Sequence, residues 1–256
     1  MLPREHGAWA VLIAPVLLGL FSTGAADIPA AVLFCIGALG AFLTRPALLA
    51  LLRPAPDPKA RAWLAAYAAL AAAGFIPLVL VYERTLLLAF AAPAAFLLAA
   101  DVRAQLARRA LSLTNELGGV AALSMGAAAA RYAAQGTLDF RAWSLWALSA
   151  LFFCGPIFYV KMVALAHRAC SDPSQGARLE RARRLALVYH LAAPLAVFAL
   201  PLDFPRLSLL PFAAALVKTV LRALRPPEKV NFQSLGYREV AYSALFVAAV
   251  LVGYRA

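Results

Sequence analysis

The sequence predicts an all-α polytopic membrane protein, and two observations carry that prediction. Hydrophobic residues make up 64% of the 256 residues and charged residues only 14%, whereas about a quarter of the residues in a soluble domain are charged. Apolar runs of roughly 17 to 25 residues, the length of a helix that crosses a bilayer, recur along the whole chain. They leave no stretch for a soluble domain, so we expect one transmembrane domain over residues 1–256.

Charged clusters and clusters of Pro and Gly divide the apolar runs into nine predicted transmembrane helices. The first, at 6–22, has Glu5 and His6 at its start and Pro15 within it, so we expect it to stay in the protein rather than to be cleaved as a signal peptide. The others are expected at 28–44, 62–82, 84–100, 112–130, 142–161, 184–201, 206–223 and 238–254.

The residues between the runs define the boundaries. Helix 2 is expected to end at Arg45, before Pro46, and helix 6 at Lys161. Glu83 and Arg84 separate helices 3 and 4, and the segment LDFPR separates helices 7 and 8. The loops after helices 2, 4, 6 and 8 are long, whereas the other connections are short, so any chemistry is expected on the side of the long loops.

The distribution of basic residues predicts the orientation. With the N-terminus in the cytoplasm, all but five of the 24 Lys and Arg residues lie in cytoplasmic segments, the five being Arg84, Arg131, Arg141, Arg206 and Arg255. This bias predicts a cytoplasmic N-terminus and a C-terminus outside. The net charge of +12 then reflects basic loops beside anionic lipid, and nucleic acid is not an expected partner.

The cysteines form no C-x-x-C pair, so we expect no disulfide and no metal site built from cysteine.

Similar segments suggest an internal repeat. KARAWLAAY at 59–67 matches RARRLALVY at 181–189, and REHGAWA, NELGGVA and REVAYSA place Glu5, Glu116 and Glu239 at the starts of helices 1, 5 and 9. These matches indicate a 4+4+1 bundle, with repeats at about 1–110 and 111–236 and a final helix at 237–256. Helix dipoles also favour glutamate in a first turn, so three independent helix starts remain the alternative.

The segments PREHGAWAVLIAPVLLG, LTNELGG and LGYREVAYS resemble those of the YwiC-like family of bacterial membrane proteins, over nearly the whole chain. This resemblance implies a multi-pass protein of the bacterial cytoplasmic (inner) membrane and brings no defined biochemical activity with it.

In architecture, nine helices in a 4+4+1 bundle with large cytoplasmic loops 2 and 6 resemble the UbiA superfamily of membrane prenyltransferases. Those enzymes hold magnesium on aspartate-rich motifs in loops 2 and 6, where the metal binds a prenyl diphosphate. Here loop 2 has only Asp57, and loop 6 has only Asp172 and Glu180. Magnesium is therefore not an expected cofactor, and whether the chain is an enzyme stays open. The Arg and Lys residues of these loops could bind phosphate without a metal.

Ionisable groups within membrane spans are functional candidates. By this criterion the candidate catalytic residues are Glu5, His6, Asn115, Glu116, His190 and Glu239. Candidates for binding an anionic head group are Arg45, Arg53, Arg61, Tyr159, Lys161 and Arg183. The alternatives are helix capping for the glutamates, hydrogen-bonded packing for His190, and extension to lipid head groups for the basic residues, a role we also expect for Lys218.

These candidates predict a cavity that opens to the cytoplasm and binds an amphiphile with an anionic head, such as an isoprenoid diphosphate or a quinone-like lipid. Two alternatives belong to other classes of protein. A transporter would need a polar route to the outer face, for which the spans offer only Ser124, Ser149, Ser243 and scattered tyrosines. A haem protein would depend on His6 and His190 as ligands.

Overall fold

The computed structural model describes residues 6–22, 27–109, 111–225 and 230–255, with only the backbone described for His6 and Phe232. Nine α-helices and two short 3₁₀ turns, and no strands, form these residues, which confirms the all-α class. The helices are α1 His6–Phe21, α2 Ile28–Leu51, α3 Ala60–Leu80, α4 Leu87–Leu106, α5 Leu113–Gln135, α6 Phe140–Ala169, α7 Gly176–Ala199, α8 Leu209–Leu224 and α9 Phe232–Gly253.

Several helices are longer than the sequence predicts. The predicted ends of helix 2 at Arg45 and of helix 6 at Lys161 are both wrong, since α2 continues through Pro46 to Leu51 and α6 continues to Ala169. A proline removes one backbone hydrogen bond, but membrane helices tolerate this loss where neighbouring groups satisfy the freed carbonyl. A polar side chain likewise does not end a helix, because the backbone hydrogen bonds continue past it.

The expected large loop 6 is almost entirely helical. Only residues 170–175 separate α6 from α7, and they include the 3₁₀ turn Pro173–Gln175. Asp172 caps this turn: its carboxylate accepts hydrogen bonds from the hydroxyl and the backbone N–H of Ser174. These hydrogen bonds, chiefly that of the hydroxyl, lower the pKa of Asp172. His167, which the sequence assigns to a loop, lies in the last turn of α6.

Seven helices of the described chain, all except α1 and α5, are long and apolar enough to cross a membrane. α1 is apolar but shorter, at 16 residues. These helices define a multi-pass membrane protein in a lipid bilayer. Crossing by all nine helices, and the orientation of the termini, remain predictions.

The chain divides within α6 into two compact units, Met1–Trp146 and Ala147–Ala256. In the first unit α2 packs most extensively against α3, and α1 packs against α5. The α2–α3 contact is close because both helices present glycine: a Cβ at Gly74 would meet the backbone of Leu33 and Gly37, and one at Gly40 would meet the backbone of Ala71. Small residues at such an interface let helix backbones approach each other in a membrane.

A buried arginine lies near the C-terminal end of α5. Arg131, which the sequence assigns to an outer loop, is 5% exposed. Its guanidinium donates two hydrogen bonds to the carboxylate of Asp139, at 2.9 and 2.6 Å, and two more to the carbonyl and hydroxyl of Ser22. These bonds tie α5 to the end of α1 and to the segment before α6. The hydrogen bonds from Arg131 hold the pKa of Asp139 below its usual range.

The second unit consists of most of α6 with α7, α8 and α9. Four phenylalanines form an aromatic cluster, in which Phe152 and Phe246 stack at 4.1 Å between ring centroids and contact Phe153 and Phe212 edge to face. A second buried cluster contains Tyr159, Met162, Val163, Ala186, Ala223 and Leu235. Both clusters join residues of α6, α8 and α9. That the chain forms a single transmembrane domain and that it contains an internal repeat both remain predictions.

A basic groove between two helices as the candidate functional site

A groove of about 570 Å³ lies between α8 and α9 in the second unit, and Tyr159 of α6 also lines it. Its volume lies within the range of ~300–1,000 Å³ that is usual for ligand sites. Its apolar wall consists of Ala214, Val217, Leu221 and Leu235. The remaining lining residues are polar or charged, and they determine what the groove can bind.

An ion pair joins the two helices at the groove. The ammonium of Lys218 on α8 lies 2.7 and 2.9 Å from the two carboxylate oxygens of Glu239 on α9. The side chains are only 12% and 13% exposed. Burial of two charges costs several kcal/mol for each ion, and only a close contact such as this one offsets that cost.

Two tyrosine rings flank the same ammonium. The Nζ atom of Lys218 lies 4.2 Å from the ring centroid of Tyr159 and 4.3 Å from that of Tyr242. The negative face of an aromatic ring attracts a cation at this distance. Lys218 is therefore held inside the protein by a carboxylate and two rings, and the sequence prediction that it extends to lipid head groups is wrong.

Three arginines complete the lining: Arg222 on α8, Arg225 directly after the last residue of α8, and Arg238 on α9. Arg222 is half-buried, and the other two are exposed. Within the described part of the chain, none of the three forms an ion pair with a carboxylate, and Glu239 is the only acid of the lining. The groove thus holds four basic side chains and one acidic one, so its lining carries an excess of positive charge.

The spacing along α8 explains how these groups meet. Lys218 and Arg222 are four residues apart, which places them on one face of α8, and Arg225 follows three residues later, where the helix ends. On α9 the interval from Glu239 to Tyr242 has the same effect. Sequence reasoning identified Glu239 and Tyr159 as candidates but missed the three arginines, Lys218 and Tyr242. The helical spacing was the signal that could have found them.

Glu239 does not lie where the sequence predicts. The helix α9 begins at Phe232 and has no acidic residue in its first turn, so Glu239 lies two turns inside the helix. The prediction that Glu239 is a helix-start glutamate is wrong. Glu116, by contrast, lies in the first turn of α5, as predicted. The helix dipole favours a carboxylate at that position. Glu5 lies outside the described residues, as does the side chain of His6.

In the first unit, two candidate residues meet on an acid that sequence reasoning missed. Asp101 of α4 accepts a hydrogen bond of 2.6 Å from Nε of Arg45 and one of 3.0 Å from Nδ2 of Asn115. The carboxylate therefore links α2, α4 and α5. The predicted fourth helix ended at residue 100, which left Asp101 in a loop, whereas α4 continues to Leu106.

His190 is buried in α7, 4% exposed, and its Nδ1 lies 2.8 Å from the carbonyl oxygen of Ala186 in its own helix. Its Nε2 faces Gly155 of α6 so closely that a Cβ there would lie 3.1 Å away. This environment is that of a packed, hydrogen-bonded histidine, and a catalytic role for His190 stays a prediction.

The other predicted phosphate ligands do not line the groove. Arg53 and Arg61 are exposed residues of the first unit. Lys161 is half-buried in α6, and Arg183 forms an ion pair with Glu180 at 3.4 Å. Among the described residues, no group of three or more His, Cys, Asp or Glu side chains is close enough to hold a metal ion.

Seven apolar helices of membrane-spanning length and a basic groove between two of them define a multi-pass α-helical membrane protein. Residues 2–131, slightly more than half of the chain, match the family described as YwiC-like protein, and the chain belongs to that family. This confirms the resemblance seen in the sequence. The groove lies outside the matched residues.

One curated relative is the protein described as "Uncharacterized protein YwiC" from Bacillus subtilis (strain 168). It is 33% identical to this chain over 170 residues, which are 64% of this chain and 66% of the relative, just short of two thirds. No solved structure matches the chain.

Proposed function

We propose that the protein binds an amphiphile with a phosphate head in the groove between α8 and α9. The observation that carries the proposal is the excess of basic side chains in the groove: Arg222, Arg225 and Arg238 have no carboxylate partner in the described residues, and an apolar wall lies beside them. The head group would meet the arginines, and the apolar chain would lie along the wall.

The chemistry of arginine favours phosphate as the head group. A guanidinium presents a planar fork of N–H donors that matches two phosphate oxygens, and such charge-assisted pairs are about twice as strong as neutral hydrogen bonds. A cleft lined by charge of one sign and by low-dielectric walls also concentrates ions of the opposite sign. Three arginines in the lining of one groove therefore favour an anionic head.

The apolar wall favours a hydrocarbon chain. Ala214, Val217, Leu221 and Leu235 are aliphatic, and burial of each CH₂ group of a ligand contributes about 0.8 kcal/mol. The groove belongs to two helices of membrane-spanning length, so a chain can enter it from the bilayer. An isoprenoid chain fits these requirements, as does the chain of a quinone-like lipid.

The basic residues predict that the connection between α8 and α9 is cytoplasmic, so we expect Arg222 and Arg225, at the C-terminal end of α8, on that side of the membrane. We further propose that all nine helices cross the bacterial inner membrane and that the bundle is UbiA-like. The proposal requires only that the groove binds the ligand. Prenyl transfer would be a further activity of the same groove.

Binding of geranylgeranyl diphosphate to the purified protein in lipid nanodiscs tests the proposal. We expect the diphosphate to bind saturably with or without magnesium. The uncharged alcohol geranylgeraniol should not bind at the same concentration. The double variant Arg222→Gln/Arg238→Gln should weaken binding at least tenfold, which corresponds to about 1.4 kcal/mol. Arg181→Gln is the matched control, because Arg181 is an exposed arginine of α7 outside the groove. Equal binding by both variants, or no binding by the wild type, would overturn the proposal.

A further inference from the structure

We propose that Lys218 changes partners when the groove fills: its ammonium leaves Glu239 for the phosphate head, and the Glu239 carboxylate takes up one proton from bulk water. This inference rests on the proposed function and deepens it, since it makes ligand binding depend on pH.

Lys218 can reach both partners. Its ammonium lies at the end of a flexible four-carbon side chain and faces the groove between the rings of Tyr159 and Tyr242. Arg222 lies one turn further along the same face of α8, so a phosphate held by Arg222 comes close to the Lys218 ammonium. The charged non-bridging oxygens of a phosphate, in a monoester or a diester, accept strong hydrogen bonds from an ammonium, as the Glu239 carboxylate does.

The exchange leaves a buried carboxylate without its cation. Lys218 is the only described side chain that donates hydrogen bonds to the Glu239 carboxylate, which is 13% exposed. An ionised group in such surroundings becomes neutral rather than remain charged and unpaired. The bound phosphate acts in the same direction, because a nearby like charge disfavours the charged form of a carboxylate.

The other charged and titratable groups around the pair do not replace Lys218. Tyr159 on α6 and Tyr242 on α9 contribute rings to the ammonium site, and buried His190 on α7 hydrogen-bonds within its own helix. The remaining groups are the arginines of the lining, which the phosphate engages. One proton at Glu239 therefore balances the charge that Lys218 takes to the ligand.

Calorimetry with hexadecyl methyl phosphate tests the exchange. This phosphodiester keeps one negative charge from pH 6 to 8, so it contributes no proton change of its own. Titrations in PIPES and in Tris, which differ in ionisation enthalpy, give the number of protons taken up. We expect about one proton for the wild type, and an affinity that rises by up to about tenfold for each unit of decrease in pH.

Glu239→Gln is the informative variant, and Arg181→Gln is the matched control. We expect Glu239→Gln to bind the phosphodiester with no proton uptake and no pH dependence, whereas Arg181→Gln behaves as the wild type. Wild-type binding with no proton uptake would overturn the exchange and leave the proposed function intact, even if Glu239→Gln does not fold. Absence of wild-type binding to both this phosphodiester and geranylgeranyl diphosphate would overturn both.

Discussion

The buried pair of Lys218 and Glu239 makes a quantitative prediction about stability. At separations of 2.7 and 2.9 Å, Coulomb's law gives an attraction of about 6 kcal/mol for an effective dielectric constant of about 20. Desolvation of both ions offsets most of that attraction. Removal of one partner leaves the other buried and unpaired, so each single variant, Lys218→Met or Glu239→Leu, should lose about 3–5 kcal/mol.

The double variant Lys218→Met/Glu239→Leu should recover most of this loss, because a well-packed apolar pair can replace a buried ion pair at little cost. The coupling energy of the double-mutant cycle should therefore be at least about 2 kcal/mol. The measurement is reversible unfolding in mixed micelles as the fraction of denaturing detergent rises, followed by far-UV circular dichroism.

A second cycle on Glu180 and Arg184 is the matched control. This pair also joins an acid and a base at 3.0 Å, but its side chains are 47% and 77% exposed and lie four residues apart on one helix. Its coupling should be only about 0.3–0.5 kcal/mol. A coupling for the buried pair no larger than that of the exposed pair would refute the reasoning about burial.

Two further predictions concern the first unit. The variant Gly74→Ala should lose about 1–3 kcal/mol of unfolding free energy, because the new Cβ would press against the backbone of α2. Its control is Gly119→Ala, whose Cβ would enter open space and whose stability should be unchanged or slightly higher. Equal thermal stability of the two variants would contradict this prediction. Asp139 has a lowered pKa when folded, so the stability that it contributes is present above its unfolded pKa and is lost as the pH falls through its folded pKa. Thermal melting between pH 7 and 3 should show a smaller acid destabilisation for Asp139→Asn than for the wild type; equal slopes would contradict the role of Arg131.

The all-α membrane class was predictable because it depends on the hydropathy of each apolar run, which does not depend on the contacts that the run makes in the fold. Nine apolar runs correspond to nine helices of the described chain. Helix ends were less predictable, since Pro46 and Lys161 look like boundaries in a linear sequence but lie within helices. Whether a helix continues past such a residue depends on the partners that its backbone and side chain find in three dimensions.

The candidate site was predictable only in part for a similar reason. Glu239 was identified because an acid in an apolar run is unusual, and its contact with Lys218 depends on how α8 and α9 pack. Asp101 was missed because its helix was predicted one residue too short to include it. A basic residue near a predicted membrane boundary has an ordinary explanation in topology, and this concealed the three arginines of the groove.

The glycine contact between α2 and α3 also bears on how the protein assembles. Once two helices are inserted in a bilayer, lipid tails solvate their apolar side chains as well as other helices do, so shape rather than hydrophobicity selects the partner. Gly37, Gly40 and Gly74 provide a surface on which two backbones touch. The two helices are joined by a short connection from Leu52 to Lys59. Adjacent segments with complementary shape can pair as soon as both leave the insertion machinery, and later helices then have a preformed hairpin against which to pack.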